Sequence, residues 1–118
     1  MSVSSGFRTF VVEQLERSLQ DVRARSMFGG VGLYAGNLFF GLMDDDTLYF
    51  KVNDSNRRRF EERGMGPFRP YGEGGETMQY YEVPADVLED AEQLAVWAEA
   101  SVAVAREAKR GRTRPRSR

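Results

Sequence analysis

The sequence contains neither cysteine nor histidine among its 118 residues. Without cysteine the chain can form no disulfide, thiolate zinc site or iron–sulfur cluster, and it offers no cysteine nucleophile. Without histidine it lacks the most frequent general base and metal ligand, and a Ser-His-Asp triad is excluded. No apolar run approaches the ~18 residues that suggest a membrane-spanning helix. These absences exclude most of the usual catalytic chemistry.

The N-terminal residues 1–7 lack the charged region and the following apolar run of a secretory signal. We therefore expect a cytoplasmic protein without a membrane segment. Hydrophobic residues make up 41% of the chain and aromatic residues 12%, which is typical of a folded globular domain.

The formal net charge of −1 conceals two regions of opposite charge. Residues 1–105 carry 10 basic and 17 acidic side chains, a net charge of −7. Residues 106–118 carry seven basic side chains against Glu107 alone, a net charge of +6. The sequence thus predicts an acidic domain followed by a short basic tail.

The N-terminal segment has helical periodicity. Apolar residues recur at intervals of three and four from Phe7 to Val22, which predicts an amphipathic helix over about residues 5–21. Ser4 or Ser5 is available as its N-cap.

Short β-forming runs follow this helix and are separated by glycine-rich or aspartate-rich turns. Gly36 and Asn37 tolerate a positive φ, so they predict a tight hairpin. The predicted antiparallel strands are residues 27–28, 31–35, 38–43 and 47–52.

The second half of the sequence predicts a mixture of short elements. Asp54 is a candidate N-cap for a helix over residues 55–63 that buries Phe60. Residues 64–76 contain five glycines and two prolines, which predicts a loop. It includes at most one short strand around residues 68–71.

A further strand is predicted over residues 77–83 and ends at Pro84. Asp90 and Gln93 resemble a capping box at the start of a last helix, which is expected to end by about residue 110.

The predicted order is helix, three or four strands, helix, one or two strands, helix. We expect an α+β fold in two layers, with an antiparallel sheet and the helices on one face. Residues 1–105 would form the domain, with the final helix running to about residue 110. Residues 111–118 would be a disordered Arg-rich tail.

Five short motifs occur in a characteristic order: RSMFGGVGLY at 25–34, LFFG at 38–41, LYFK at 48–51, YEVP at 81–84, and LED at 88–90 with Leu94 and Trp97. Together with their flanking residues they resemble the N-terminal domain of the TfoX/Sxy family of bacterial proteins over about residues 7–105. The residues to which this resemblance assigns a motif position, with a structural role, are Arg25, Met27, Phe28, Gly29, Gly30, Gly32, Tyr34, Lys51, Tyr81, Glu82, Pro84 and Trp97.

The resemblance implies an α-β-β-β-α-β-β-α domain and a regulatory function in DNA uptake and natural competence. Founding members of the family act with the cyclic-AMP receptor protein at particular promoters, and no catalytic activity is established for the domain. Longer members carry a second, helical domain. We expect this chain to be a stand-alone member in which the Arg-rich tail takes its place.

Two motifs have a functional and a structural interpretation. The segment from Gly30 to Ala35 formally fits a dinucleotide-binding pattern, but that site needs the glycines to open a helix, and here more strand follows. A structural role for the glycines between adjacent strands is favoured. The acidic run at 44–46 lacks the further ligands of a calcium loop and predicts a solvated hairpin tip.

Lys51 and Glu82 lie on predicted strands and could meet as a structural ion pair across the sheet. We therefore predict no catalytic, cofactor-binding or metal-binding residue.

Basic residues suggest two nucleic-acid contacts. One is a patch of arginines interleaved with aromatic residues, where the alternative is a solvated helix face, and the other is the tail, where the alternative is a solubilising extension. The candidate contact residues are Arg57, Arg58, Arg63, Arg69, Arg106, Lys109, Arg110, Arg112, Arg114, Arg116 and Arg118.

The leading hypothesis is a non-enzymatic regulatory or adaptor domain that contacts a transcription-related protein, with weak nucleic-acid affinity in the tail. The alternative is a small-ligand-binding or enzymatic domain that uses residues 64–76 as a lid. The domain could be a monomer or a homodimer.

Overall fold

Five strands form one antiparallel sheet in the computed structural model, which describes residues 3–27, 29–70 and 78–113. Neighbours in the chain are neighbours in the sheet, so the topology is a meander. The strands are β1 (Val22–Met27), β2 (Gly30–Ala35), β3 (Leu38–Asp44), β4 (Thr47–Lys51) and β5 (Tyr80–Glu82). The helices are α1 (Ser5–Glu16), α2 (Arg57–Glu61), α3 (Ala85–Leu88) and α4 (Ala91–Thr113).

The sheet and the helices form two layers around one hydrophobic core, which confirms the predicted α+β class. Helices α1 and α4 pack on the strands through α1–β1, α4–β3 and α4–β4 contacts. The largest completely buried side chains of this core are Phe40, Phe50, Phe60, Leu15, Leu33, Met43, Leu48 and Leu94. None of the helices in the described part of the chain is long and apolar enough to cross a membrane.

Helix α1 is shorter than predicted. Ser4 is its N-cap, since its hydroxyl oxygen accepts a hydrogen bond from the Phe7 N–H at 3.2 Å. The helix ends at Glu16 and not near residue 21, and Asp21 then takes a positive φ of 57° that reverses the chain. Val22 begins β1, so the predicted helix end near residue 21 and the predicted first strand over residues 27–28 were wrong.

The two predicted hairpins are confirmed. Gly36 has φ 61° in the β2–β3 turn. Asp45 and Asp46 have φ 52° and 54° in the β3–β4 turn and are exposed, as expected of a hairpin tip. The Asp46 carboxylate also accepts a hydrogen bond of 2.7 Å from the Ser4 N–H.

The segment between β4 and α2 differs from its prediction. Asp54 is not an N-cap, because α2 starts only at Arg57, and the Asp54 carboxylate pairs with the Arg57 guanidinium at 2.6 Å. Asn56 precedes the helix and is buried, with its Nδ2 donating to the Lys51 carbonyl. Phe60 is 1% exposed, so its predicted burial is confirmed.

Strand β5 covers three residues instead of the predicted 77–83. Its outer edge is paired by the preceding loop, where the Phe68 N–H donates to the Tyr80 carbonyl and Pro67 forms a bridge with Tyr81. The expected strand at 68–71 is thus an isolated bridge, and its last residue lies outside the described residues. The short helix α3 after Pro84 was not predicted.

Helix α4 begins with the predicted capping interaction. The Asp90 carboxylate accepts hydrogen bonds from the Gln93 N–H and from the Gln93 side-chain amide. The helix continues through Gly111 to Thr113, beyond the expected end near residue 110. Residues 111–113, expected in the disordered tail, are helical, and 114–118 lie outside the described residues.

Candidate functional site

The face of the sheet opposite the core carries a row of side chains that crosses all five strands. The pairing register places Arg23 opposite Tyr34, Tyr34 opposite Phe39, and Lys51 opposite Tyr80. The buried residues of α1 and α4 pack with the core on the opposite face, and the C-terminal part of α4 borders this row beside Phe39 and Lys51. We call this surface the helix-free face. The cross-strand row consists of Arg23, Tyr34, Phe39, Lys51 and Tyr80.

A β-bulge in β3 places Phe39 in this row. Leu33 pairs with Gly41, but the next residue, Tyr34, pairs with Phe39, so Phe40 is the extra residue. Phe40 is completely buried in the core and packs on Phe50 at 5.8 Å between ring centroids. Counted from Gly41, regular alternation would place Phe40 on the helix-free face and Phe39 in the core. The extra residue reverses this, so Phe40 reaches the core and Phe39 lies opposite Tyr34.

The rings of the row pack against one another. The Tyr34 and Phe39 centroids are 5.0 Å apart with nearly parallel rings, and Phe39 lies 5.6 Å from Tyr80. Two cations lie over these rings. The Arg25 guanidinium is 6.0 Å from the Tyr34 centroid, and the Lys51 ammonium is 5.0 Å from that of Tyr80. The result is a ladder of three rings with cations over two of them, a favourable cation–π arrangement.

A second row beside the first contains Arg25, Gly32, Leu42, Tyr49 and Glu82. Gly32 leaves room there, since a Cβ atom would lie 2.8 Å from the Met27 Cε and 3.1 Å from the Phe39 Cε1. The sulfur-containing side chain of Met27 and the ring of Phe39 fill this space, which joins the two rows into one surface.

Lys51 and Glu82 are not directly opposite each other in the register of β4 with β5, and the ion pair between their side chains stays a prediction. Lys51 lies opposite Tyr80, whose hydroxyl is 3.4 Å from its ammonium group, and the exposed Glu82 lies opposite Tyr49. Burial raises the pKa of the Tyr49 hydroxyl, and the Glu82 carboxylate adds to this rise. Phe68, from the loop before β5, covers Tyr49 at 4.8 Å between centroids.

The remaining motif residues support the chain's own structure. Gly29 has φ 82°, and a Cβ atom on Gly30 would lie 2.6 Å from the Met43 carbonyl oxygen. Residues 30–35 form a strand and not the start of a helix, so the geometry of a dinucleotide site is not present there. Phe28 lies outside the described residues.

Tyr81, Pro84 and Trp97 lie away from the helix-free face. Trp97 packs edge-on against Phe60 at 4.8 Å, and Tyr81 contacts Phe60 at 6.0 Å. Pro84 is buried and immediately precedes α3. The motif therefore divides into residues that build the helix-free face and residues that fix α2, α3 and α4 to the core.

The arginines of the predicted body patch are engaged with carboxylates. Arg57 pairs with Asp54 at 2.6 Å, and Arg63 donates to both carboxylate oxygens of Asp86, which lowers the pKa of that carboxyl. Arg58 lies 3.8 Å from Glu62, and Arg69 is exposed. The contact of these four residues with nucleic acid stays a prediction.

Two surface depressions border the end of β4. The larger, of about 520 Å³, is open to solvent and includes Asp54, Arg57 and Glu107 in its lining. The smaller, of about 160 Å³, includes Phe39, Lys51 and Lys109. Neither is bordered by residues of the loop 64–70. Within the described ranges, no group of three acidic residues is arranged to hold a metal ion.

Both edges of the sheet are partly blocked. The Arg8 guanidinium donates to the Ala24 carbonyl and to the Ser26 hydroxyl on the outer edge of β1, each at 3.1 Å. A cationic side chain on an edge strand opposes pairing with another chain. The oligomeric state of the domain stays a prediction.

Sequence comparison gives two matches. The family model of the TfoX N-terminal domain matches residues 13–105. A segment of 45 residues is 44% identical to the DNA transformation protein TfoX1 of Aliivibrio fischeri (strain ATCC 700601 / ES114), which is 38% of this chain and 22% of that protein. The chain thus matches about a fifth of the length of this curated relative.

Proposed function

The chain belongs to the TfoX N-terminal domain family, which is competence-related, and we propose that it is a non-enzymatic regulatory or adaptor domain that acts by contacting another protein. The observation that carries this proposal is the cross-strand row on the helix-free face. The partner is expected to be a transcription-related protein of the cytoplasm, and the basic C-terminal residues add weak affinity for nucleic acid.

The composition of the row suits a protein interface. Tyrosine and arginine are enriched at the centres of interfaces because they combine a large contact area with hydrogen bonding. The Tyr34 and Phe39 rings are half-buried and hold each other in place, so little side-chain entropy remains to be lost on binding.

The charges of the row indicate the chemistry of the partner. Arg23 and Arg25 are exposed beside Tyr34, in a domain whose residues 1–105 have a net charge of −7. A partner that presents carboxylates around an apolar centre would be attracted to this surface and repelled by much of the rest of the domain.

The proposal is tested by the expression of DNA-uptake genes in cells whose own copy is replaced by a variant. Arg25→Glu reverses a charge on the helix-free face at an exposed position, so the fold should be retained. We expect the induction of those genes to fall at least tenfold, with unchanged levels of the soluble variant on an immunoblot.

Arg58→Glu is the matched control, since it makes the same charge change on α2, where the side chain is 87% exposed. It should leave induction within about twofold of the wild type, as expected for a surface change away from an interface. Equal induction by the wild type and by Arg25→Glu would reject the helix-free face as the regulatory surface.

A further inference from the structure

Helix α4 extends beyond the hydrophobic core. Val104 and Ala105, with 4% and 5% of their surface exposed, are its last buried residues, and the helix continues to Thr113. The eight residues 106–113, about two helical turns, form an extension that we call the basic arm. Its side chains are exposed or half-buried as far as Gly111.

The helical geometry places three cations of the basic arm on one side. Arg106, Lys109 and Arg110 are spaced by three and four residues, and they lie within an arc of about 100°. Glu107, the one acidic residue of the arm, lines the larger depression together with Asp54 and Arg57. Glu107 is exposed and lies outside the arc of the three cations.

The cations continue onto the sheet. Lys109 lines the smaller depression together with Lys51 of the cross-strand row. Positive charge thus runs from the row along the arm, and the sequence after the arm adds Arg114, Arg116 and Arg118.

Stabilisation of the helix end does not account for this amount of charge. The C-terminal end of a helix dipole corresponds to about half a negative charge, which one or two cations in the last turn offset. Residues 106–118 carry a net charge of +6. Such an excess beside an acidic domain is expected of an element that contacts a polyanion.

We propose that the basic arm is an ordered element that binds the phosphate backbone of nucleic acid along its Arg106, Lys109 and Arg110 face. This inference rests on the tail affinity named in the proposed function and replaces a disordered tail with a helix of defined orientation. The acidic body keeps the rest of the domain away from the phosphates, so the arm and the adjacent Lys51 make the contact.

The proposal predicts a specific salt dependence. Each lost phosphate contact reduces the slope of log affinity against log salt by about 0.9 on duplex DNA. Neutralising three contacts should therefore reduce the slope by about 2.7 and weaken binding at least tenfold at low salt.

The test measures fluorescence anisotropy of labelled nucleic acids with the purified full chain. Duplex DNA, single-stranded DNA and RNA of equal length serve as the probes, and the strongest binder identifies which nucleic acid the arm prefers. The arm variant is Arg106→Gln/Lys109→Gln/Arg110→Gln. The matched control, Arg8→Gln/Arg17→Gln/Arg59→Gln, removes the same charge from body arginines that belong to no proposed contact and should change affinity less than twofold.

Two further variants test the role of helical order at constant charge. Ala108→Pro interrupts the helix and should weaken binding severalfold, with the loss of helix followed by circular dichroism. Gly111→Ala strengthens the helix, since a Cβ atom there meets no atom within 4 Å, and should bind as tightly as the wild type or tighter.

The proposal is overturned if the arm variant binds every probe as the wild type does, or if the control variant loses as much affinity. It is also overturned if Ala108→Pro binds unchanged, because a charged disordered tail would then suffice. The gene-induction assay with Arg25→Glu does not depend on these results, so failure of the arm and failure of the protein interface are distinguished.

Discussion

The two faces of the sheet use aromatic residues in different ways. On the covered face, Phe40 and Phe50 are completely buried beneath the helices. On the helix-free face, Tyr34 and Phe39 are half-buried and lie beside cations. The same strands therefore supply a core that holds the domain together and a surface with the composition of a binding site.

This division has a physical basis in the bulge at Phe40. A regular strand would alternate its side chains strictly, and Phe39 and Phe40 would each be displaced by one position relative to β2. The extra residue lets Phe40 reach the core while Phe39 meets Tyr34. One local irregularity therefore serves both faces of the sheet.

The largest expected difference between the faces is in stability. Phe50→Ala on the covered face should lower the free energy of unfolding by about 3–5 kcal/mol, because it removes a buried ring and leaves a cavity. Tyr34→Ala on the helix-free face should cost only about 1–2 kcal/mol, from a half-buried ring and one ring pair. Denaturant unfolding of both variants measures the difference, and equal losses would show that the two faces are equally structural.

The two strand glycines give a finer comparison. A Cβ atom on Gly41 would lie 2.9 Å from the Tyr49 carbonyl oxygen, which is backbone and cannot move freely. A Cβ atom on Gly32 would lie closest to the flexible end of the Met27 side chain. We expect Gly41→Ala to destabilise the domain by about 1–3 kcal/mol and Gly32→Ala by less than about 1 kcal/mol. Thermal unfolding gives the order, and the reverse order would contradict the packing described here.

The smallest expected effect is on the pH dependence of stability and involves Tyr49 on the helix-free face. Its raised pKa means that the folded state disfavours the phenolate, so stability is fully present below the ordinary pKa of about 10 and falls as the pH rises through the higher pKa of the folded state. Absorbance at the tyrosinate band, compared between wild type and Tyr49→Phe, should assign a late-titrating group to Tyr49. Titration of that group at its ordinary pKa would show that Phe68 does not shield it.

Local patterns were sufficient to predict most of the fold. The hairpin glycine, the β-forming runs of β2 to β4 and the capping residues at Ser4 and Asp90 act through neighbouring residues, so the sequence displays them directly. The start of β1 was missed because Leu19 and Val22 continue the spacing of α1, although they reach the same core from a turn and a strand. The spacing of apolar residues gives no indication of the positive φ of Asp21, where the chain reverses.

The candidate site was predicted only in part. The motif included Arg25, Tyr34 and Lys51 but assigned them a structural role, and it omitted Phe39 and Tyr80. Their place in the row depends on the bulge and on the register of β4 with β5, which are long-range pairings. The adjacent phenylalanines before Gly41 were the available signal, since one of two consecutive strand residues must leave the core.

We propose that the helix-free face, and not the helix layer, contacts the regulatory partner. A photo-crosslinking amino acid placed at position 25 tests it most directly, with position 99, exposed on α4, as the control. We predict that a transcription-related protein is crosslinked from position 25 in living cells, that Arg23→Glu abolishes the crosslink, and that position 99 gives none. A partner crosslinked from position 99 with equal yield, or none from position 25, would contradict the account.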